Sequence, residues 1–302
     1  MSRTQTWIIV GLIGLFWGLN WPAVKTLLTE IPPFTIRAVA LTAAGALLTL
    51  VVWISGHRLR PQQGELWPLL MAGLLTVFAF NVLVTFGQLL TETSKAAIIA
   101  YIMPALTALF SVIFLKERLG MGRLLALIIG MTGIGVMASE NLDHLIANPL
   151  GPLLMAASAT AWALGIVATK ARTWSITPMA QAVWFLLPSG ILCWPFALAI
   201  EAPWSVPWPS PLVTALMAWH ILCPMLIAYA VWTSLVGHLP ASVAALATLL
   251  APVVAVSSSI ILLGDPATWQ KLLALALICA SIMLTLLPGG PSAHRAWRRN
   301  RD

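Results

Sequence analysis

Trp17 and Trp21 stand four residues apart with Asn20 beside them, so all three share one helical face. Trp162 occupies a comparable place in the second half of the chain. Tyr101 lies three residues before Pro104, and Tyr229 lies three before Trp232; these are the only two tyrosines. Phe78, Asn81 and Thr85 follow helical spacing on a third segment. Rings can stack on a flat cargo or offer it an apolar wall, and amide or hydroxyl groups can bond its polar atoms. The same rings can instead pack against helices or lipid, and Asn81 can hold two helices together, so both roles stay open.

Lys25 and Lys170 close two apolar runs, each eight residues after a tryptophan (Trp17 and Trp162). They can snorkel to lipid headgroups, or meet a substrate carboxylate or a gate partner. Pro104 and Pro252 interrupt apolar runs at matching places. Each removes a backbone donor, leaving either a fixed kink or a hinge. His220 falls inside another run, as a packed hydrogen-bonded group or a proton-linked one. Every Asp and Glu falls at or beyond an expected helix end, so a buried carboxylate for ion coupling is not in view, and uncoupled movement of cargo is the expectation. Walker loops, selectivity-filter repeats and HExxH motifs are missing from the sequence. Cys193, Cys223 and Cys279 lie in apolar runs without metal-ligand spacing, and no cofactor, metal or catalytic residue is expected.

These residues need lipid-soluble elements to carry them. Of 302 residues, 60% are hydrophobic and 8% charged, against roughly 25% charge in soluble domains. A span takes about 20 apolar residues. Ten such stretches are expected: 5–24, 34–54, 67–90, 94–115, 121–139, 149–170, 177–199, 211–235, 241–263 and 270–288. Gly237, His238 and Pro240 divide a long charge-free stretch, and Pro203–Pro211 reads as an interfacial connection. With the N-terminus in the cytoplasm, 12 of the 16 basic residues fall on the cytoplasmic side, including Arg295, Arg298, Arg299 and Arg301. Lys25, Arg37, Lys95 and Lys271 fall on the other. The net charge of +7 is thus read as membrane orientation, with lipid headgroups rather than nucleic acid as partner.

The chain also repeats itself. Shifted by 148 positions, 94–137 overlies 242–285 with twelve identities in 44, among them Pro104 on Pro252 and Leu124–Leu127 on Leu272–Leu275. Five helices per half is odd, so two copies must cross in opposite senses. Lys116-Glu117-Arg118 and its mate Gly264-Asp265-Pro266 differ in charge as opposite faces would. The expectation is an all-α membrane protein of ten transmembrane helices in two inverted five-helix repeats, both termini cytoplasmic. Residues 1–140 form the first repeat, 149–288 the second, and 289–302 a basic tail. Inverted repeats are frequent in secondary transporters, where two similar halves exchange conformations around one site.

Trp17-Gly18-Leu19-Asn20-Trp21-Pro22, Pro104-Ala105-Leu106, Phe114 to Leu119 and Gly130 to Val136 resemble the drug/metabolite transporter superfamily in its ten-helix form with two EamA-type domains. Ala251-Pro252-Val253 and Leu263-Gly264-Asp265-Pro266 echo this later, the last with its acidic-basic pair incomplete. By helix layout and aromatic richness the chain is most similar to the YddG-type exporters of aromatic amino acids. The resemblance implies a multi-pass bacterial inner-membrane exporter with a central cavity walled by helices 1, 3, 4, 6, 8 and 9. On that wall it places Trp17, Asn20, Trp21, Phe78, Asn81, Thr85, Tyr101, Trp162, Tyr229 and Trp232. The expected cargo is small: amino acids first, with drugs, purines or sugars as the alternative. A scaffold or lipid-modifying role without transport is the third reading. A monomer is the expected unit.

Overall fold

The structure is a computed structural model describing residues 3–116, 121–140, 147–235 and 241–286. Among these residues every regular element is helical. In chain order they are α1 (Arg3–Leu27), α2 (Pro33–Ile54), α3 (Leu66–Leu90), α4 (Thr93–Leu115), α5 (Met121–Ala138), α6 (Leu150–Lys170) and α7 (Pro178–Glu201). Three more follow: α8 (Pro211–His220 continuing through Ile221–Ile227 and Ala228–Leu235), α9 (Ala241–Leu263) and α10 (Trp269–Leu286). Six of them, α2, α3, α4, α6, α7 and α8, are long and apolar enough to cross a bilayer. Leu124–Ala138, Leu250–Leu263 and Trp269–Leu284 are shorter apolar stretches. The expected break at Gly237, His238 and Pro240, most of the Lys116–Arg118 loop and the arginine-rich tail lie outside the described residues.

Little drives helices together in lipid except close packing, so contact is made through small residues. A side chain begun at Gly18 of α1 would meet Val254 Cβ at 2.5 Å and the Ala251 carbonyl oxygen at 2.9 Å, which puts the α1 and α9 backbones nearly in touch. Gly45 of α2 does the same against the Leu187 backbone of α7 at 2.7 Å. Gly130 and Gly133 of α5 lie against Ser281, Leu277 and Ala274 of α10, and Ser281 donates to the Ala126 carbonyl at 2.6 Å.

Two ends of the bundle differ in chemistry. At one, carboxylates cap helices that are distant in sequence. Glu201 accepts from the Phe34 and Thr35 amides, both at 2.7 Å, at the start of α2. Asp265 accepts from the Ser94 amide of α4 at 2.7 Å. Glu30 accepts from the amide and hydroxyl of Ser210, which caps α8. Free helix N-termini carry orphan amides and partial positive charge, so a carboxylate there is stabilising. The same end holds an ionic cluster: Lys271 contacts Glu92 and lies 4.0 Å from Glu140, while Lys95 reaches them at 3.3 and 3.0 Å. The opposite end is basic. There Arg172 lies over the Trp174 ring and donates to the Gly64 carbonyl, and Glu65 accepts from Ser175.

One sequence expectation changes. Pro104 is not in mid-helix: α4 breaks at Tyr101–Ile102, and Pro104 occupies the first turn of the segment that restarts at Met103, where its missing amide costs nothing. Pro252 does lie within a continuous α9. Arg37 and Lys271, which fall within the expected spans 34–54 and 270–288, are buried at 1% and 0% exposure.

Two outcomes test this packing. Gly18→Leu should force α1 from α9 and lower the thermal midpoint of the purified protein, with a cost of roughly 1–3 kcal/mol. Glu92→Gln should destabilise by on the order of 2 kcal/mol, less than the 3–5 of a fully buried pair because Glu92 is part-exposed. Burial pushes the Glu92 carboxyl up, but Lys271 and Lys95 outweigh it and hold the group below its ordinary 4.5. The ionised form is therefore favoured by folding. Its contribution is present above about pH 4.5 and disappears as pH falls through the depressed value, a loss that pH-dependent unfolding of wild type should show and Glu92→Gln should not.

Candidate functional site

The rings of α1, α3, α6 and α8 converge. Trp17 packs edge-on against Tyr229 and Trp232, with centroids 6.1 and 5.4 Å away. Trp162 approaches Tyr229 at 6.4 Å and Phe80 at 4.8 Å. Trp17, Trp162 and Trp232 remain half-buried, so these rings keep some surface free. Phe80 was not singled out from the sequence; it neighbours Asn81, and only the bundle shows which of the α3 rings faces inward.

Asn81 backs this group. Its amide donates to the Val77 carbonyl at 2.8 Å, and it hydrogen-bonds with the Tyr229 hydroxyl. One turn on, Thr85 donates to the Asn81 carbonyl at 2.7 Å and accepts from Arg37 Nε at 2.6 Å. Arg37 continues to His220 Nε2 at 3.2 Å, and His220 Nδ1 meets Asn20 Oδ1 at 2.6 Å. The roles are fixed by the partners. A guanidinium only donates, so Nε2 accepts; Nδ1 then carries the proton and donates to Asn20. Four helices are joined this way: Asn20 on α1, Arg37 on α2, Thr85 on α3 and His220 on α8. Thr85, Arg37 and His220 are each at most 1% exposed.

The local backbone explains the convergence. α3 widens into a π segment at Leu74–Ala79, just before Phe80 and Asn81. α8 does so at Ile221–Ile227, between His220 and Tyr229, where Pro224 removes an amide donor. Such segments add a residue per turn and re-aim the side chains that follow, often at functional sites.

The other expected residues fall elsewhere. Trp21 donates to the Tyr101 hydroxyl at 3.3 Å, with ring centroids 5.9 Å apart. Gln88 donates to the Trp21 carbonyl at 3.1 Å, and Lys25 donates to the Gln88 carbonyl. This makes a second, fully engaged group joining α1, α3 and α4 toward the carboxylate end. Phe78 joins neither: it lies with Phe34 and Phe196 on the α2–α7 side. Lys170 is exposed at the end of α6. A cavity of about 920 Å³ opens between α4, α5 and α6 near the carboxylate end, and of the expected residues only Lys25 lines it.

Arg37 is the site residue that sequence reading missed. Pro32-Pro33 sets the start of α2 ahead of it, which places the charge on the second turn inside an apolar run rather than in the loop. That spacing was the available signal.

Comparison with known proteins matches this architecture. The chain is 30% identical over 292 residues to the uncharacterized transporter YvbV of Bacillus subtilis (strain 168), covering 94% of this chain and 92% of that one. It is 28% identical over 278 residues to the uncharacterized inner membrane transporter YedA of Escherichia coli (strain K12), covering 90% and 88%. A solved crystal structure shares the fold with a TM-score of 0.69 at 23% identity, covering 98% of this chain and 99% of the other. The sequence profile of the EamA-like transporter family matches twice, over residues 5–139 and 149–287. With apolar helices long enough to span a bilayer and this double match, the chain is a multi-pass protein of the bacterial inner membrane and belongs to the EamA-like transporter family.

Proposed function

We propose that the protein exports amino acids, aromatic and other neutral ones, and related small metabolites by alternating access. The observation that carries this reading is the ring group of half-buried Trp17, Trp162 and Trp232 around a buried Tyr229, set against a polar end made by Asn81, Thr85 and Asn20. Rings take a flat apolar side chain, and the polar end takes an amine or carboxylate.

In this reading all ten helices cross the membrane as two inverted repeats, 1–140 and 149–288, with both termini and the 289–302 tail in the cytoplasm. The carboxylate end faces outward and the basic end inward. Several observations support it. The family profile matches each half separately. The π segment at Leu74–Ala79, moved by 148 residues, falls on 222–227, inside the one at Ile221–Ile227. Lys116, moved by the same shift, falls on Gly264, and both take a left-handed conformation, φ 56° and 74°. A two-fold axis that exchanges the halves would also map α2–α7 and α5–α10 onto themselves, and both pairs are extensively packed.

Cargo would then move down its own gradient, since the carboxylates seen are committed to caps and ion pairs. Pro104 and Pro252 would serve as hinges, and the Trp21–Tyr101 and Lys25–Gln88 contacts as closure of the outer side. Lys170, exposed at the basic end, would meet headgroups or a gate partner. The ring group also favours a second reading, export of purines or flat drugs, because every such molecule presents a stacking face.

Proteoliposomes loaded with a labelled panel decide between them. Efflux of phenylalanine, tryptophan and methionine, insensitive to a pH gradient, is the expected result. Efflux of purines or drugs alone would replace the first reading with the second, and absence of any flux would remove transport of this panel altogether. Trp17→Ala and Trp162→Ala should each slow aromatic efflux about 3- to 10-fold, the scale of one lost ring–ring contact.

A further inference from the structure

Arg37 carries a charge that the described chain does not neutralise. It is 1% exposed on α2, and a guanidinium does not give up its proton in a protein. Its hydrogen-bond partners, Thr85 and His220, are both neutral in the arrangement seen. The described carboxylates are all engaged elsewhere: Glu30 with Ser210, Glu65 with Ser175, Glu92 and Glu140 with lysines, Glu201 with the start of α2 and Asp265 with Ser94. A single cation held in a membrane-spanning bundle costs several kcal/mol, and such residues mark substrate or ion pathways. The contrast within this molecule is Lys271, equally buried yet placed against Glu92 and Glu140.

We propose that Arg37 is the docking point for an anionic group, a carboxylate, on the transported molecule. The inference deepens the transport reading above and rests on it. Arg37 lies at the polar edge of the ring group: Thr85, its partner, bonds to Asn81, and Asn81 bonds to Tyr229. A cargo with its ring among Trp17, Trp162 and Tyr229 therefore has its charged end directed at this relay. In the state seen, the His220 lone pair occupies Arg37. A carboxylate offers two parallel charge-assisted bonds in its place and would displace the neutral imidazole. His220 stands at the edge of the π segment, where Pro224 lacks the amide that would bond the His220 carbonyl, so the backbone that carries it is the least braced part of α8. Its release loosens the tie to Asn20 on α1, so arrival of the anion is coupled to movement of α8 against α1.

The test uses the purified full chain in lipid nanodiscs with two probes of one shape, phenylacetate (charged) and phenylacetamide (neutral). Binding is read by tryptophan fluorescence and by the shift in thermal midpoint. Wild type should prefer phenylacetate by about tenfold or more, the worth of a charged bidentate contact. Arg37→Gln should reduce that preference to within about twofold, and Arg37→Lys, which keeps the charge and loses the fork, should retain part of it. A wild-type protein without preference, or an Arg37→Gln protein that keeps it, overturns the proposal. If Arg37→Gln does not fold, Arg37→Lys decides: selective weakening of phenylacetate supports the site, and equal weakening of both probes overturns it. Amino-acid efflux measured in parallel separates the two claims. Wild-type flux unchanged in Arg37→Gln defeats the role of Arg37 and spares the transport reading. An Arg37-dependent phenylacetate preference without amino-acid flux keeps the anion site and defeats the amino-acid reading.

Discussion

In a hydrocarbon environment a polar group has no water to fall back on, and the rest of this structure follows from that. Backbone groups are satisfied inside helices, and the small hydroxyls behave the same way. Thr49, Thr76, Thr107, Thr169, Ser189 and Ser259 each donate to the carbonyl four residues earlier, so they cost the bundle little. With polarity hidden in this way, helices are left with shape as their means of association. Gly18 against α9, Gly45 against α7 and Gly133 against α10 are the outcome.

Against that background, departures from regular helix stand out. α3, α7 and α8 each contain a π segment, the one in α7 at its very end (Ala197–Glu201), and α4 is interrupted at Tyr101–Ile102. Three of these four lie beside Phe80 and Asn81, beside His220 and Tyr229, and at Tyr101 itself. Interrupting a helix in lipid leaves carbonyls without their usual donors, a cost tolerated where the backbone is covered by protein. The irregular stretches of α3, α4 and α8 thus set the direction of the side chains that the transport reading assigns to a cargo.

The broad fold was legible because lipid imposes a simple code. Apolar runs of about twenty residues between charges and prolines locate α2, α3, α6 and α7 within a few residues. Trp17, Trp162, Tyr229 and Trp232 stood among the ten residues that the family resemblance placed on one wall, while their spacing alone left them equally able to pack against helices or lipid. What stayed hidden depends on rotation about a helix axis. Nothing in the sequence says that Phe78 turns to Phe196 while Phe80, two residues on, turns to Trp162. The π segment shifts that phase within α3, and its sequence, Leu-Leu-Thr-Val-Phe-Ala, carries no proline or glycine to announce it. Pro104 misled for a related reason: proline marks an interruption, but it sits equally well in the first turn of a new segment as inside an old one.

The two buried cations show how a structural charge differs from one held ready for use. Lys271 lies at the end of the bundle, where Glu92 and Glu140 come from two other loops and complete it; only the loss of both acids would leave its charge stranded. Arg37 lies deeper, and its hydrogen-bond partners are a hydroxyl and an imidazole, groups that orient a guanidinium without cancelling its charge. An internal carboxylate at that position would have made the bundle more stable in one conformation and less responsive to anything arriving from outside. Neutral partners do the opposite. They keep the charge in place while leaving its strongest possible interaction unmade, so a molecule that supplies a carboxylate gains differential binding energy, and only differential binding shifts a conformational equilibrium.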